Sequence, residues 1–196
     1  TIYSVAFVCI MPFISIYTEG IKDANYYLPI VGFLFVLNGL LYNIKTPQGM
    51  LVLSAGLYKE TRYRTLMQAV LIIVCGIPLT IKFGIYGVLV GLLVSNIYRS
   101  VDLLFFIPKN VTKLSFLNTL KKWIIIALNT VCVFIVYKLL SFEPQNYFEW
   151  IVVAGTMCLC SVVINIVFFY ILCNKDVVSL IDRVKKIIFK EKNKEQ

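Results

Sequence analysis

The 196-residue chain is 60% hydrophobic and 15% charged with a net charge of +9, and its mean hydropathy is +0.85. Soluble domains carry charge on about a quarter of their residues, so this composition excludes a soluble globular domain and assigns the chain to the integral membrane proteins. There is no histidine and all six cysteines fall inside apolar runs, where a thiol behaves as a small hydrophobe, so neither a disulfide framework, a metal centre nor a cofactor is expected.

Residues 1–18, 24–44, 65–81, 83–98, 123–137 and 150–174 are free of charge. A helix needs about 20 residues, rising about 1.5 Å each, to cross about 30 Å of hydrocarbon. The shorter runs reach that length only where a flanking Lys or Arg snorkels. The expectation is an all-α polytopic membrane protein with six transmembrane helices over residues 1–174. The first run has no initiator Met, no basic flank and no small-residue cleavage site, so it reads as a span and not as a signal peptide, and the chain reads as a segment of a longer one. Sixteen Lys and Arg residues fall on one side of this threading and three (Lys22, Lys82 and Lys138) on the other. Positively charged loops stay in the cytoplasm, which places both ends there, in a multi-pass protein of the cytoplasmic membrane. The basic residues are spread over every inner loop and form no single groove with interleaved aromatics, so nucleic acid is not an expected partner.

In chain order, the first span carries Pro12, which removes a helix hydrogen bond and predicts a kink. A short polar outer loop, Thr18 to Asn25, follows. The apolar pattern then runs from Tyr26 to Ala55, interrupted only by Lys45 and by Thr46-Pro47-Gln48-Gly49. Because Met50 to Ala55 is too apolar for a solvated loop, one long helix bent at Pro47 is favoured over a helix that ends near Lys45. Gly56 is a helix stop, and Lys59 to Arg64 is the inner turn after it. Thr65 to Ile81 forms a span broken at Pro78, and Lys82-Phe83-Gly84 a tight outer hairpin. In the next span Gly87, Gly91 and Ser95, four apart, form a flat strip for close approach of a neighbouring helix. Phe106 to Lys122 reads as a basic inner linker, with spans from Trp123 to Ser141 and from Trp150 to Leu172. Between those two spans, Glu143 to Glu149 is an outer loop with Tyr147 and Trp150 as interfacial aromatics. Residues 175–196 form a basic amphipathic tail. Val177, Leu180, Ile181, Val184, Ile187 and Ile188 share one face of it, suited to the anionic inner leaflet, so membrane lipids are an expected partner.

No cluster of carboxylates, histidines or nucleophiles at a loop large enough to shape a pocket is present, so no catalytic residue is assigned and an enzyme is not expected. Intramembrane ionisable groups carry more information, because each is costly in lipid and faces a partner or a wet cavity. Lys45 lies about 25 Å by helical rise from the outer surface, and Arg99 nearly as deep on a helix running the same way. Two cations at one level can flank a cavity that receives an anionic head group. The plainer alternative is that both snorkel to the inner interface, with Asp102 pairing to Arg99 one turn on. Asn38 and Tyr42 lie two turns and one turn before Lys45 and can share its face. The other asparagines within the spans, Asn96 and Asn129 among them, are assigned to interhelical hydrogen bonds.

Four stretches occur in order: Gly20-Ile-Lys-Asp23-Ala-Asn25-Tyr26, Ile44-Lys45-Thr46-Pro47, Ala55-Gly56-Leu-Tyr-Lys59-Glu-Thr61 and Phe83-Gly84-Ile-Tyr-Gly87-Val. Together they resemble the C-terminal half of the polysaccharide flippases, the O-antigen and capsule transporters of the multidrug/oligosaccharidyl-lipid/polysaccharide exporter superfamily. The likeness covers residues 1–110 by motif and the remainder by hydropathy. It implies one six-helix lobe of a two-lobe, MATE-like transporter. The other lobe would lie N-terminal in the same full-length chain, and an undecaprenyl-diphosphate-linked oligosaccharide would be the passenger. In that setting Lys45 and Arg99, with Asn38 and Tyr42, would meet the diphosphate, and Pro12 and Pro47 would serve as hinges. A drug or metabolite exporter of the same superfamily, a membrane enzyme of glycan assembly and a scaffold without transport are the other readings.

Overall fold

The computed structural model describes residues 1–140, 142 and 144–172. The amphipathic tail expected over 175–196 lies outside the described residues. Among the described residues the chain forms six α-helices: α1 (Ile2–Tyr17), α2 (Pro29–Ser54), α3 (Tyr58–Phe83), α4 (Ile85–Ile107), α5 (Phe116–Leu140) and α6 (Tyr147–Leu172). A π-helical turn (Pro108–Thr112) extends α4. Helices α2 to α6 are each long and apolar enough to cross a membrane, whereas α1 is a shorter apolar helix of 16 residues. The expected six spans therefore appear as five of full length and one short member packed among them. This is a polytopic helical membrane protein.

The helices are longer than the uncharged runs, because charged residues at the basic end are helical too. Lys59, Glu60, Arg62 and Arg64 do not form a turn. They occupy the opening turns of α3, and the connection from α2 is only Ala55-Gly56-Leu57. The turn is tight because Gly56 takes φ +76, a conformation that costs a side-chain-bearing residue. The Leu57 N–H then donates to the Val52 carbonyl at 3.3 Å and the Gly56 N–H to the Leu53 carbonyl at 3.0 Å, which closes a Schellman motif. Leu57 completes it by packing on the apolar cluster of Val52, Leu103, Phe106 and Ile107.

Two further expectations are corrected on the same principle. Pro78 does not break α3, which is continuous from Tyr58 to Phe83. Where lipid offers no water, keeping the remaining helix bonds costs less than opening them. The stretch Phe106 to Lys122 is mostly helical, with Lys113 in the left-handed conformation (φ 53) marking the change of direction. The long helix through Pro47 is continuous, as expected. The outer hairpin is a single residue, Gly84, at φ +58.

Packing divides the bundle in two. Helices α2, α3 and α4 form one group, α1, α5 and α6 the other, and α1 against α2 is the main seam between them. The glycine strip on α4 sets the α3–α4 spacing. A Cβ at position 87 would lie 2.0 Å from the Leu79 carbonyl oxygen, and one at 91 would lie 2.6 Å from the Gly76 Cα. The Ser95 hydroxyl donates to the Gln68 carbonyl at 3.3 Å on the same strip. The outward surface is apolar, with Leu66, Val70, Ile73, Val74, Ile77 and Ile81 of α3 all exposed. Polar groups such as Ser4, Asn38, Asn96, Arg99, Asn129 and Ser161 are buried instead. That inversion is what a hydrocarbon solvent demands.

Candidate functional site

A line of hydrogen-bonded side chains runs between α2 and α4 towards the basic end. Asn38 starts it, its Nδ2 donating to the carbonyls of Leu34 at 2.9 Å and Leu89 at 3.0 Å. Its Oδ1 accepts from Asn96 Nδ2 at 3.0 Å. Asn96 Oδ1 in turn accepts from Lys45 Nζ at 2.6 Å. The orientation of both amides follows from this chain, since an ammonium can only donate. Lys45 also stands 5.1 Å above the Tyr42 ring, and a cation on an aromatic face gains about 0.5–2 kcal/mol as it is desolvated. Tyr42 itself is exposed, so it touches the line only through this ring face.

One turn along α4 from Asn96, Arg99 donates to Asp102 Oδ2 at 2.8 Å. The other oxygen, Oδ1, is taken by Arg64 from the start of α3. The Asp102 carboxylate is thus shared between two guanidiniums from two helices. Its side chain is 8% exposed, that of Arg99 10% and that of Arg64 43%. Arg64 lies 4.8 Å over the Phe106 ring, which holds it along the mouth of the site. The Arg99 charge also acts on the Lys45 ammonium. Two guanidiniums therefore hold one carboxylate, a third cation stands nearby on Asn96, and the site keeps a positive surplus.

Of the residues singled out from the sequence, Asn38 and Lys45 are brought together through Asn96, and Arg99 is held beside them by Asp102. Asp102 pairs with Arg99 as the plainer reading had it, yet Arg99 is buried and does not reach towards water. Asn96 and Arg64 are the members that sequence reasoning left out of the site. The sequence alone assigns the first to a general interhelical bond and the second to the basic side of the topology. The spacing Asn96, Arg99, Asp102 places all three on one helix face, and that was the available signal for Asn96. Nothing in the sequence pointed Arg64 at Asp102.

Pro12 and Pro47 both lie inside continuous helices. Pro12 denies a donor to the Val8 carbonyl, and one residue along, the Cys9 carbonyl accepts the Trp150 indole N–H at 2.9 Å. Trp150, in the first turn of α6, is therefore anchored against α1 and packed on the apolar cluster of Val8, Cys9, Val133, Val153 and Met157. Pro12 also lines a cavity of about 940 Å³ at the end opposite the cationic site, between α1, α2 and α5, with Phe7, Phe33, Phe134 and Glu19 among its walls. Among the described residues no three His, Cys, Asp or Glu side chains come together to hold a metal. No protein-family model, curated protein or solved structure matches the chain.

Proposed function

We propose that the chain is one lobe of a transporter that moves a lipid-linked oligosaccharide, joined to its prenyl chain by a diphosphate, across the cytoplasmic membrane for cell-surface polysaccharide synthesis. The basic end faces the cytoplasm, and a second lobe of the same full-length chain completes the passage. One observation carries this reading: Arg64 and Arg99 converge on the Asp102 carboxylate between spans, and Lys45 adds a third cation beside them, bonded to Asn96 on the same face of α4. A diphosphate cannot cross about 30 Å of hydrocarbon unaided, and a fixed positive surplus beside the lipid offsets its loss of hydration. The apolar exterior leaves the prenyl chain in the bilayer. Pro12 and Pro47, each missing one helix bond, are where α1 and α2 bend as the lobes rock. A drug or metabolite exporter would use an intramembrane carboxylate free to couple a cation. Asp102 is engaged by two arginines, which favours the anionic passenger.

Replacing Lys45 with Leu in the full-length protein is expected to abolish surface polysaccharide at unchanged abundance in the membrane. Normal surface glycan would remove Lys45 from the mechanism. Cysteine labelling from outside the cell is expected to reach position 82 and not position 62, and the reverse pattern would invert the topology.

A further inference from the structure

We infer that Asp102 is the resident anion of a phosphate-class binding site, occupying in this conformation the place that the diphosphate of the passenger takes. The inference rests on the transport reading above and adds a mechanism of selection to it. The carboxylate is held in the manner of a bound ligand. Each oxygen is taken by a different guanidinium, Oδ1 by Arg64 and Oδ2 by Arg99. Burial of the Asp102 and Arg99 side chains to 8% and 10% exposure leaves the half-exposed Arg64 as the open side of the site. Lys45 stands outside these ion pairs; among the described residues it meets the neutral Asn96 oxygen and the Tyr42 ring.

The donor inventory exceeds what one carboxylate can use. Two guanidiniums and one ammonium carry thirteen N–H donors between them, and a carboxylate has one charge and two oxygens. A diphosphate brings more charge and more acceptor oxygens, enough to engage both arginines and Lys45 together, and charge-assisted bonds of this kind are the strong ones. Asp102 thereby sets a threshold. An anion that offers only what a carboxylate offers gains nothing by displacing it, whereas a diphosphate gains the Lys45 contact and the additional charge. Selection against monoanions is built in as competition by an internal group, which is specificity by exclusion. The same carboxylate keeps buried Arg99 and half-exposed Arg64 compensated while the site waits, so the empty site does not carry the full penalty of unpaired buried charge.

The test uses the purified full-length protein in lipid nanodiscs, titrated with inorganic diphosphate and with acetate at fixed ionic strength. Diphosphate is expected to bind and acetate not to bind. Asp102→Asn is expected to tighten diphosphate binding about tenfold or more, equivalent to about 1.4 kcal/mol, and to let acetate bind. Unchanged or weaker diphosphate binding in a folded Asp102→Asn protein overturns the assignment of Asp102. Because that variant leaves two arginines without a carboxylate and can fail to fold, the wild type is also measured by infrared difference spectroscopy with carboxyl-13C aspartate. Diphosphate is expected to shift a carboxylate band that is missing in Asp102→Glu, and a spectrum without that shift overturns the proposal. Arg99→Gln separates the two readings. If it leaves diphosphate binding intact, the anion site itself is wrong. If it abolishes binding while Asp102→Asn does not tighten it, the anion site stands and only the role of Asp102 falls. A short-chain isoprenyl diphosphate that binds more tightly than the inorganic ion identifies the ligand as a lipid head group. Equal affinities would overturn that source in favour of free diphosphate.

Discussion

The two halves of the bundle solve the same problem with different chemistry. Between α2, α3 and α4 the polar network is charged: buried Arg99 and the Asp102 carboxylate with half-buried Lys45 and Arg64 at its edge, Lys45 being joined through Asn96 to Asn38. Between α1, α5 and α6 the buried polar side chains among the described residues are neutral. Asn129 Nδ2 donates to Ser4 Oγ at 2.8 Å and to Ser161 Oγ at 2.9 Å, and Ser4 shares a 3.0 Å hydrogen bond with Thr130. Each half also has its own apolar cluster, Val52, Leu103, Phe106 and Ile107 in the first and Val8, Cys9, Val133, Val153 and Met157 in the second. The neutral cluster explains itself as packing: small hydroxyls let helices approach, and short hydrogen bonds join them. The charged line does not, because ions in lipid cost more than neutral groups and return no better packing. The charged half is therefore where the proposed function is placed, with the neutral half as its frame.

The largest expected effect tests the packing inside the charged half. Gly87→Val should prevent recovery of folded protein, or lower its stability by more than about 3 kcal/mol, since even a Cβ would stand 2.0 Å from a backbone oxygen. Gly155→Ala in α6 is the matched control. Its added Cβ meets nothing within 4 Å, and it should leave stability unchanged or raised by up to about 1 kcal/mol. Thermal unfolding in detergent reads both. A comparable loss at both positions would mean that the close α3–α4 approach has no special role.

Next comes a direct contest between the two polar systems. Asn96→Leu strips Lys45 of its oxygen acceptor and should destabilise by about 2–3 kcal/mol, as for hydrogen bonds to charged groups. Asn129→Leu breaks only neutral bonds and should lose about 1 kcal/mol, near the low values found for such bonds within membranes. If Asn129 proved the more costly, the distinction between a functional line and a structural frame would break. Smaller again is Trp150→Phe, which keeps the ring against α1 and loses the bond to the Cys9 carbonyl, for about 0.5–1.5 kcal/mol. The smallest effect lies in the loop between α1 and α2. There the Tyr26 hydroxyl donates to Asp23 at 2.9 Å, and this bond, together with the nearby carboxylate charge, raises the Tyr26 pKa above its ordinary value. A raised folded pKa means that any stabilisation from this pair is present below the ordinary tyrosine pKa and is lost as pH rises through the folded value. Ultraviolet titration should show late ionisation of one tyrosine, and Asp23→Asn should remove the delay.

Much of this was legible one residue at a time. Gly56 and Gly84 were identifiable as stops because a chain turning between antiparallel spans needs a residue at positive φ, and the 87/91/95 strip announced a close neighbour through its spacing alone. Where reading along the chain went astray, the cause was the same each time. Read one residue at a time, charge ends helices at Lys59 to Arg64 and after Phe106, and proline breaks α3 at Pro78. The helix bonds continue through these places because lipid provides no alternative partner, and because charged residues at a helix end can stay helical while reaching water. The site was half legible: Lys45, Arg99 and Asn38 stand out as polar groups where polarity is costly, whereas Arg64 looked like any other basic residue near a membrane surface.

The sequence by itself determined the class and the apolar segments that become the long helices, because these follow from transfer free energies that each residue contributes whatever its neighbours are. Only the tertiary structure decided which residues meet: that Asn96 joins Asn38 to Lys45, that Trp150 finds the Cys9 carbonyl, and that Arg64 crosses from α3 to share Asp102 with Arg99. The physical reason is that hydrogen bonds and ion pairs act over a few ångströms, and the separations that matter are set by how helices distant in the chain rotate and pack against one another.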